Sequence, residues 1–313
     1  MNKITLFLLP LLLFAHPHIE ISDWKNPTVE DFHLLQEYLS HGERPELKWI
    51  HTRDGKLCSR RSERIKKFSI IDENSHKIPL LQTEFINTSP DDRECCILTY
   101  TSTNGKFSEG IDEIIRRLRR VGFKGHFLYR VGGWPYIEDG GLELFDVPYA
   151  FKPCALMEAR KLGYKKVIWI DASMFPSKNL SYLFSHIEQN GMLFRKDPCP
   201  LAMIAHERFM KSMNMTLQEV YQTRHIMSGV VGFDFSNKKA NKCLTEYYKA
   251  AQMREPFFVT TPCQAPLSVF IRRNGLLKGI FANGNKLFSE SKNSYFVFCR
   301  SNWKNFPPKD LSE

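Results

Sequence analysis

The chain has 313 residues, of which 42% are hydrophobic and 25% are charged, and its formal net charge is +10. This composition excludes an intrinsically disordered chain and a polytopic membrane protein. The basic charge favours anionic partners such as nucleotide phosphates. Because no zinc-finger, RNA-recognition or basic-zipper motif occurs, nucleic acid is not expected as a partner.

The first segment predicts export. Lys3 precedes an apolar run over residues 4–15 that only Thr5 and Pro10 interrupt. The run is shorter than the roughly 20 residues that a membrane-spanning helix needs, so residues 1–15 are predicted to be a signal peptide. Leu13 is not the small residue that a cleavage site prefers, which leaves an uncleaved signal anchor or a buried terminal element open. We expect an exported, secretory-lumenal or membrane-anchored protein whose membrane association runs through this segment.

The cysteine content is compatible with export. The chain has eight cysteines, an even number that allows up to four disulfide bonds. No C-x-x-C pair occurs among them, which argues against a structural zinc site.

Residues 16–94 are polar and irregular and are interpreted as an N-terminal extension or a small subdomain. Within them, Phe32, Leu35 and Leu39 have the spacing of one apolar helix face.

From residue 95 onward, apolar runs and amphipathic segments alternate. An apolar strand at 96–100, a helix at 111–121 and a strand at 126–130 predict a βαβ unit. Further helices are predicted at 153–162, 180–187, 240–251 and 262–273, strands at 167–170 and 229–235, and a β-rich segment at 280–298. We predict an α/β domain over residues 95–300 and a C-terminal tail over 301–313.

The most informative segment surrounds Asp171. Val167–Ile170 is continuously apolar, which is typical of a central strand covered on both faces. Asp171 follows at its carboxyl end, where open α/β sheets bind ligands, and Ser173 lies two residues further on. A carboxylate there can hold a divalent cation that neutralises a diphosphate. The alternative is that Asp171 only caps the following turn.

An apolar strand followed by Asp-x-Ser resembles the Asp-x-Asp element of GT-A-fold glycosyltransferases, and the order of elements is similar to their glycogenin-like and galactosyltransferase-like members. The resemblance implies a GT-A-like α/β fold with a mostly parallel central sheet flanked by helices. It implies a nucleotide-sugar donor such as a UDP-sugar, a glycan, lipid or protein acceptor, and Mn²⁺ or Mg²⁺ bound at Asp171 and Ser173.

The same resemblance covers residues 95–280 and assigns further positions. The strand that contains Thr99 and Tyr100 lies where the family packs the nucleobase, and Lys152 resembles the basic residue that pairs with the diphosphate. Met227-Ser-Gly-Val resembles an Asn-Ser-Gly-Val strand at the sugar, and Cys263-Gln resembles an Asp-Gln pair near it. The predicted catalytic residues are Asp171 and Gln264, and the predicted donor-binding residues are Thr99, Tyr100, Lys152, Ser173, Ser228 and Gly229.

Several positions depart from the family pattern. Ser173 replaces the second carboxylate, Met227 replaces Asn, Cys263 replaces Asp, and no histidine follows His225. These departures leave altered metal use, metal independence and lost catalysis open. The alternative function is therefore a catalytically decayed nucleotide-sugar or glycan-binding protein.

Two questions of chemistry stay open in the sequence. A phosphohydrolase of the haloacid dehalogenase type also places Asp at a strand end, but it needs a second Asp where this chain has Ser173. An inverting glycosyltransferase needs a base for the acceptor hydroxyl, and Glu255, Asp234 and His225 are the candidates.

Overall fold

The computed structural model describes residues 19–41, 48–50, 57–59, 70–71, 77–103, 107–205, 207–259, 261–291 and 293–299. The predicted signal segment 1–15 and the tail 301–313 lie outside the described residues. Within these ranges, no helix combines the length and the apolar character needed to cross a bilayer.

The elements alternate between strands and helices as the sequence predicts. The helices are α1 Val29–His41, α2 Ile111–Arg120, α3 Phe151–Lys161, α4 Ser181–Asn190, α5 Glu207–Ser212, α6 Leu217–Gln222, α7 Lys238–Gln252, α8 Gln264–Arg273 and α9 Gly284–Leu287. The strands are β1 Lys48–Ile50, β2 Leu57–Ser59, β3 Gln82–Ile86, β4 Cys95–Thr101, β5 Gly125–Val131, β6 Lys166–Ile170, β7 Met174–Pro176, β8 Met192–Pro200, β9 Arg224–Asp234, β10 Phe288–Ser289 and β11 Phe296–Phe298.

A six-stranded sheet in the order β3-β5-β4-β6-β9-β8 forms the centre of the described chain. The pairs β5-β4 and β4-β6 are parallel, whereas β3 runs antiparallel to β5 and β9 antiparallel to both β6 and β8. Four strands therefore point in one direction, and only β3 and β9 oppose them. This confirms the predicted α/β class with a mostly parallel sheet.

Both faces of the sheet are buried. On β4, Cys96 and Leu98 face one apolar cluster while Ile97 faces the other. Val167 and Ile168 of β6 divide between the same two clusters. Helices α3, α7 and α8 cover the first face, and α2 and α4 cover the second. A strand that alternates between two apolar layers reads as a continuous apolar run, which is why β6 is evident in the sequence.

The N-terminal region shares the core of the α/β domain. Helix α1 forms as predicted, and its Phe32 and Leu35 belong to the same apolar cluster as Leu98. Strand β3 is an edge strand of the central sheet and lies within residues 16–94, which were interpreted as an N-terminal extension or a small subdomain. The reason is that most of its residues are exposed or half-buried, so β3 carries no apolar run.

A second, three-stranded sheet holds the chain that follows Asp171. Strand β7 pairs antiparallel with β11, which pairs in parallel with β10. The amide of Cys299 also donates to the carbonyl of Ser173 at 3.0 Å. The predicted β-rich segment at 280–298 therefore supplies two strands beside the candidate site, whereas β7 was not predicted.

The cysteines whose side chains the structure describes are unpaired. The seven whose side chains the structure describes carry free thiols: Cys95, Cys96, Cys154, Cys199, Cys243, Cys263 and Cys299. No disulfide therefore forms among these seven.

Candidate functional site

Asp171 lies at the carboxyl end of β6, at the point where the chain turns toward β7. Its amide donates to the carbonyl of Gly229 at 2.8 Å, and its own carbonyl accepts from the amide of Met174 at 2.8 Å. The backbone of Asp171 therefore closes this turn, and its carboxylate is left for other partners. The turn-cap interpretation does not account for the carboxylate.

The carboxylate of Asp171 is held by two donors. Its Oδ1 accepts from Nζ of Lys152 at 2.9 Å and from Nε1 of Trp169 at 2.8 Å. The other oxygen, Oδ2, accepts no hydrogen bond from the described residues, and 42% of the side chain is exposed. Trp169 was expected to be a core residue and is buried. Its second role was missed, although positions i and i+2 of a strand share one face.

Lys152, in the first turn of α3, is saturated with acceptors. Besides Asp171 it donates to the carbonyl of Ser228 at 2.8 Å and to the hydroxyl of Ser228 at 3.1 Å. A lysine ammonium has three hydrogens, so the three acceptors use all of them. Only 2% of Lys152 is exposed, and its Nζ lies 5.1 Å from the ring centroid of Trp169. Lys152 thus faces Asp171 and Ser228.

The ammonium of Lys152 keeps its charge. Burial acts to lower its pKa, but the negative charge of Asp171 and the hydrogen bond between the two side chains outweigh burial, and the pKa is raised. A lysine activates a neighbouring serine as a nucleophile only when its amine is neutral. The Ser228–Lys152 pair is therefore not arranged as a Ser–Lys hydrolase site.

Ser228 connects this charge pair to the start of α8. Its Oγ lies 3.1 Å from Sγ of Cys263, and the carbonyl of Cys263 accepts from the hydroxyl of Tyr247 at 2.9 Å. Gln264, the first residue of α8, follows Cys263 and is half-buried. The position that resembles the Asp-Gln pair thus adjoins the strand that carries Ser228 and Gly229.

Gly229 lies close to the end of the Met174 side chain. A Cβ atom at this position would lie 2.6 Å from Cε of Met174, which would have to shift, and 3.5 Å from Oδ2 of Asp171. The role of Gly229 at the sugar stays a prediction, and the group that approaches it in the structure is the methionine methyl group.

Thr99 and Tyr100, predicted to bind the nucleobase, have buried side chains. The hydroxyl of Thr99 donates to the carbonyl of Ile170 at 2.8 Å, and that of Tyr100 donates to the carbonyl of Gly133 at 2.5 Å. Thr99 therefore supports the strand end that presents Asp171. Burial raises the pKa of Tyr100 well above its usual range, so its hydroxyl stays protonated.

The residues of the site do not fit a divalent cation. Mn²⁺ and Mg²⁺ prefer a shell of several oxygen ligands. Oδ1 of Asp171 already accepts two hydrogen bonds, one of them from an ammonium whose charge opposes a second cation. The side-chain oxygens that remain as possible metal ligands are Oδ2 of Asp171 and the hydroxyl of Ser173, a residue that is only 8% exposed. Across the described ranges, no group of three His, Cys, Asp or Glu side chains is arranged to hold a metal ion.

The candidate bases are not alike in position. Asp234 pairs with Lys166, at the opposite end of β6 from Asp171, and its carboxylate accepts from the amide and hydroxyl of Ser236. Glu255 forms an ion pair with Arg208. Asp234 therefore serves a turn far from the site.

His225 lies three residues before Ser228 on β9 and is buried. Its Nε2 is 3.1 Å from the hydroxyl of Thr261, and its Nδ1 is 3.5 Å from Oδ2 of Asp197. Burial lowers the pKa of His225, and the charge of Asp197 only partly opposes this. His225 is thus held neutral near the carboxyl-terminal edge of the sheet.

Known proteins resemble this chain in backbone structure and only weakly in sequence. No family model and no curated protein matches the chain. It is similar to a solved bifunctional glycosyltransferase, WbbM, with 13% identity and a TM-score of 0.40 over 68% of this chain and 47% of that one. It is similar to the galactosyltransferase LgtC, solved with donor and acceptor sugar analogs, with 11% identity and a TM-score of 0.34 over 59% of this chain and 72% of that one.

A third similar structure is mouse xyloside xylosyltransferase 1, with 10% identity and a TM-score of 0.35 over 60% of this chain and 84% of that one. The chain spans about half the length of the WbbM chain that it matches. These likenesses assign no residue of the site.

Proposed function

We propose that this protein is a glycosyltransferase that moves a sugar from a nucleotide-diphosphate donor to a glycan, lipid or protein acceptor. The observation that carries the proposal is the convergence of separate motifs. Lys152, Asp171 and Ser228 are each assigned to the donor site by a separate sequence motif, and Lys152 donates hydrogen bonds to both Asp171 and Ser228.

The position of these residues suits a ligand site. Asp171 ends a buried parallel strand at the edge of the sheet where α/β proteins bind ligands. Its Oδ2 has no partner among the described residues and belongs to a side chain that is 42% exposed. A carboxylate oxygen of this kind accepts hydrogen bonds from sugar hydroxyl groups. Lys152 and Trp169 fix its orientation from behind, so both act as positioning residues.

The chemistry favours an oriented acceptor oxygen at this position. Transfer breaks the bond between the anomeric carbon and the diphosphate oxygen, which keeps the electron pair, and forms a bond to the acceptor oxygen, whose proton passes to a base or to the released diphosphate. Positive charge develops on the sugar meanwhile. The Asp171–Lys152 pair is neutral overall, but its exposed oxygen Oδ2 is the negative end of a fixed dipole and stabilises that charge without reorganising during the reaction.

A screen of nucleotide sugars tests this proposal. Purified wild-type protein and Asp171→Asn are incubated with UDP-, GDP- and ADP-linked sugars, and the released nucleotide is measured with and without a panel of acceptors. We expect release with at least one donor, and a loss of about 100-fold or more in Asp171→Asn, as is usual when an oriented electrostatic group is removed. Equal turnover by the two proteins would contradict the assigned role of Asp171.

The second candidate is a nucleotide-sugar or glycan-binding protein that has lost catalysis. It is favoured by one observation. The resemblance assigns Lys152 to the diphosphate, but in the structure all three hydrogen bonds of its ammonium go to Asp171 and Ser228, so none is left for a diphosphate. Calorimetric binding of a nucleotide sugar that is never turned over, with any acceptor of the panel, would support this candidate over the first.

A further inference from the structure

We propose that the site works without a divalent cation, because Lys152 is a built-in counter-ion for Asp171. This inference rests on the proposed function, since it names how the donor site handles charge. It differs from the Mn²⁺ or Mg²⁺ that the family resemblance implies at Asp171 and Ser173.

The first argument is the position of the ammonium. The resemblance implies a metal at Asp171 and Ser173, and here Nζ of Lys152 already lies 2.9 Å from Oδ1 of Asp171. The indole of Trp169 donates to the same oxygen. Only Oδ2 of the Asp171 carboxylate is then left. This oxygen and the hydroxyl of Ser173 are too few ligands for an octahedral cation.

The second argument is that the ammonium cannot easily leave. Lys152 is 2% exposed, and its three hydrogens are matched by the carboxylate of Asp171 and by the carbonyl and hydroxyl of Ser228. Moving it aside would leave the buried carbonyl of Ser228 without its donor, and an unpaired buried polar group is costly. The free energy gained by binding a metal would first have to exceed the cost of leaving the Ser228 carbonyl unpaired.

The third argument is charge balance. Asp171 with Lys152 carries no net charge, whereas an uncompensated carboxylate would repel an incoming diphosphate. The pair therefore meets one of the demands that a metal ion meets in a metal-dependent site, which is to cancel the negative charge of the aspartate. Position 173 then needs no second carboxylate, and the serine found there is consistent with this charge balance.

The test separates metal binding from nucleotide binding. Free Mn²⁺ is titrated with protein and followed by electron paramagnetic resonance. In parallel, calorimetry measures the affinity for UDP, GDP and ADP in EDTA and in Mn²⁺. The proteins are wild type, Lys152→Met, and Lys161→Met as a control, because Lys161 lies at the other end of α3 and pairs with Glu138 and Asp139 on the surface.

For wild type and Lys161→Met we expect no change in the Mn²⁺ signal and equal nucleoside-diphosphate affinity in EDTA and Mn²⁺. Lys152→Met exposes Asp171 uncompensated, so its affinity in EDTA should fall by about tenfold or more and recover in Mn²⁺. Wild-type binding that EDTA abolishes would overturn the inference and leave the proposed function intact.

The wild-type measurements decide the question even if Lys152→Met does not fold. If no nucleoside diphosphate binds wild type in either condition, the proposed function fails. In that case Mn²⁺ bound by wild type and lost in Asp171→Asn would overturn the inference separately, and an unchanged Mn²⁺ signal would support it.

Discussion

Removal of the Asp171 carboxylate should make stability depend on pH in a way that removal of its partner does not. In Asp171→Ala the ammonium of Lys152 keeps Ser228 but loses its counter-charge, and Lys152 is almost fully buried. Breaking such a pair from one side costs about 3 kcal/mol of unfolding free energy near neutral pH. Burial is then the largest remaining influence on the Lys152 pKa, ahead of Cys263 and Tyr149, so we expect the pKa to be lowered, the reverse of its direction in the wild type.

The sign follows from proton counting. With a lowered pKa, the folded variant binds fewer protons than the unfolded chain, so its stability rises with pH until the ordinary lysine pKa is reached. The rise is at most about 1.4 kcal/mol for each pH unit, so a loss of about 3 kcal/mol should be recovered over the roughly two pH units that lie below the ordinary lysine pKa of about 10.4. In the wild type the raised pKa keeps Lys152 charged in both states over this interval, and its contribution stays constant and is lost only above the unfolded pKa.

Urea unfolding at several pH values measures this effect, and the wild-type curve is subtracted to remove the titration of cysteines and other shared groups. The control is the double variant Asp171→Ala with Lys152→Met, which has no buried ammonium and should lose the extra pH dependence. A deficit in Asp171→Ala that stays the same at every pH would refute the reasoning, because it would show that the ammonium finds water or another counter-charge.

Three further results are expected. Gly229→Ala should cost only about 1 kcal/mol in urea unfolding, because its Cβ would lie 2.6 Å from Cε of Met174, the far end of a flexible side chain that can shift; a loss of about 3 kcal/mol or more would contradict this interpretation of the packing. His225→Gln should flatten the fall in stability below about pH 6.5, since burial lowers the His225 pKa and the folded state resists its protonation; an unchanged acid limb would show that His225 does not contribute. Burial raises the pKa of Cys95 to about 11, so mass spectrometry should find iodoacetamide labelling about 100-fold slower in the native than in the urea-unfolded protein, and equal rates would contradict its burial.

Most of the fold could be predicted from the sequence, because the side chains of the central strands alternate between two apolar layers. β4 and β6 read as apolar runs, and the helices that cover them read as periodic ones. Strand β3 escaped prediction because an edge strand needs little apolar surface. Strand β7 escaped because three residues, buried against β11 far along the chain, have no local signal.

The site was predictable as a set of positions and not as a set of contacts. Asp171, Lys152 and Ser228 were identified from separate motifs, and the structure brings them together. The hydrogen-bond partner of Lys152 was not predictable from the sequence, because a basic residue upstream of the strand that leads to Asp171 can face either a ligand or the strand end itself. Only the packing of α3 against β4 and β6 decides that, and this packing joins segments that are distant in the sequence.

The pairing of β11 with β7 has a consequence for biosynthesis. The strand that flanks Met174–Pro176 is supplied by Phe296–Phe298, close to the far end of the described chain. While the polypeptide emerges from the ribosome, the backbone next to Asp171 keeps an open strand edge until residues 296–298 have been translated. Premature termination before residue 296 would therefore release a protein whose six-stranded sheet is already encoded but whose three-stranded sheet beside Asp171 is incomplete.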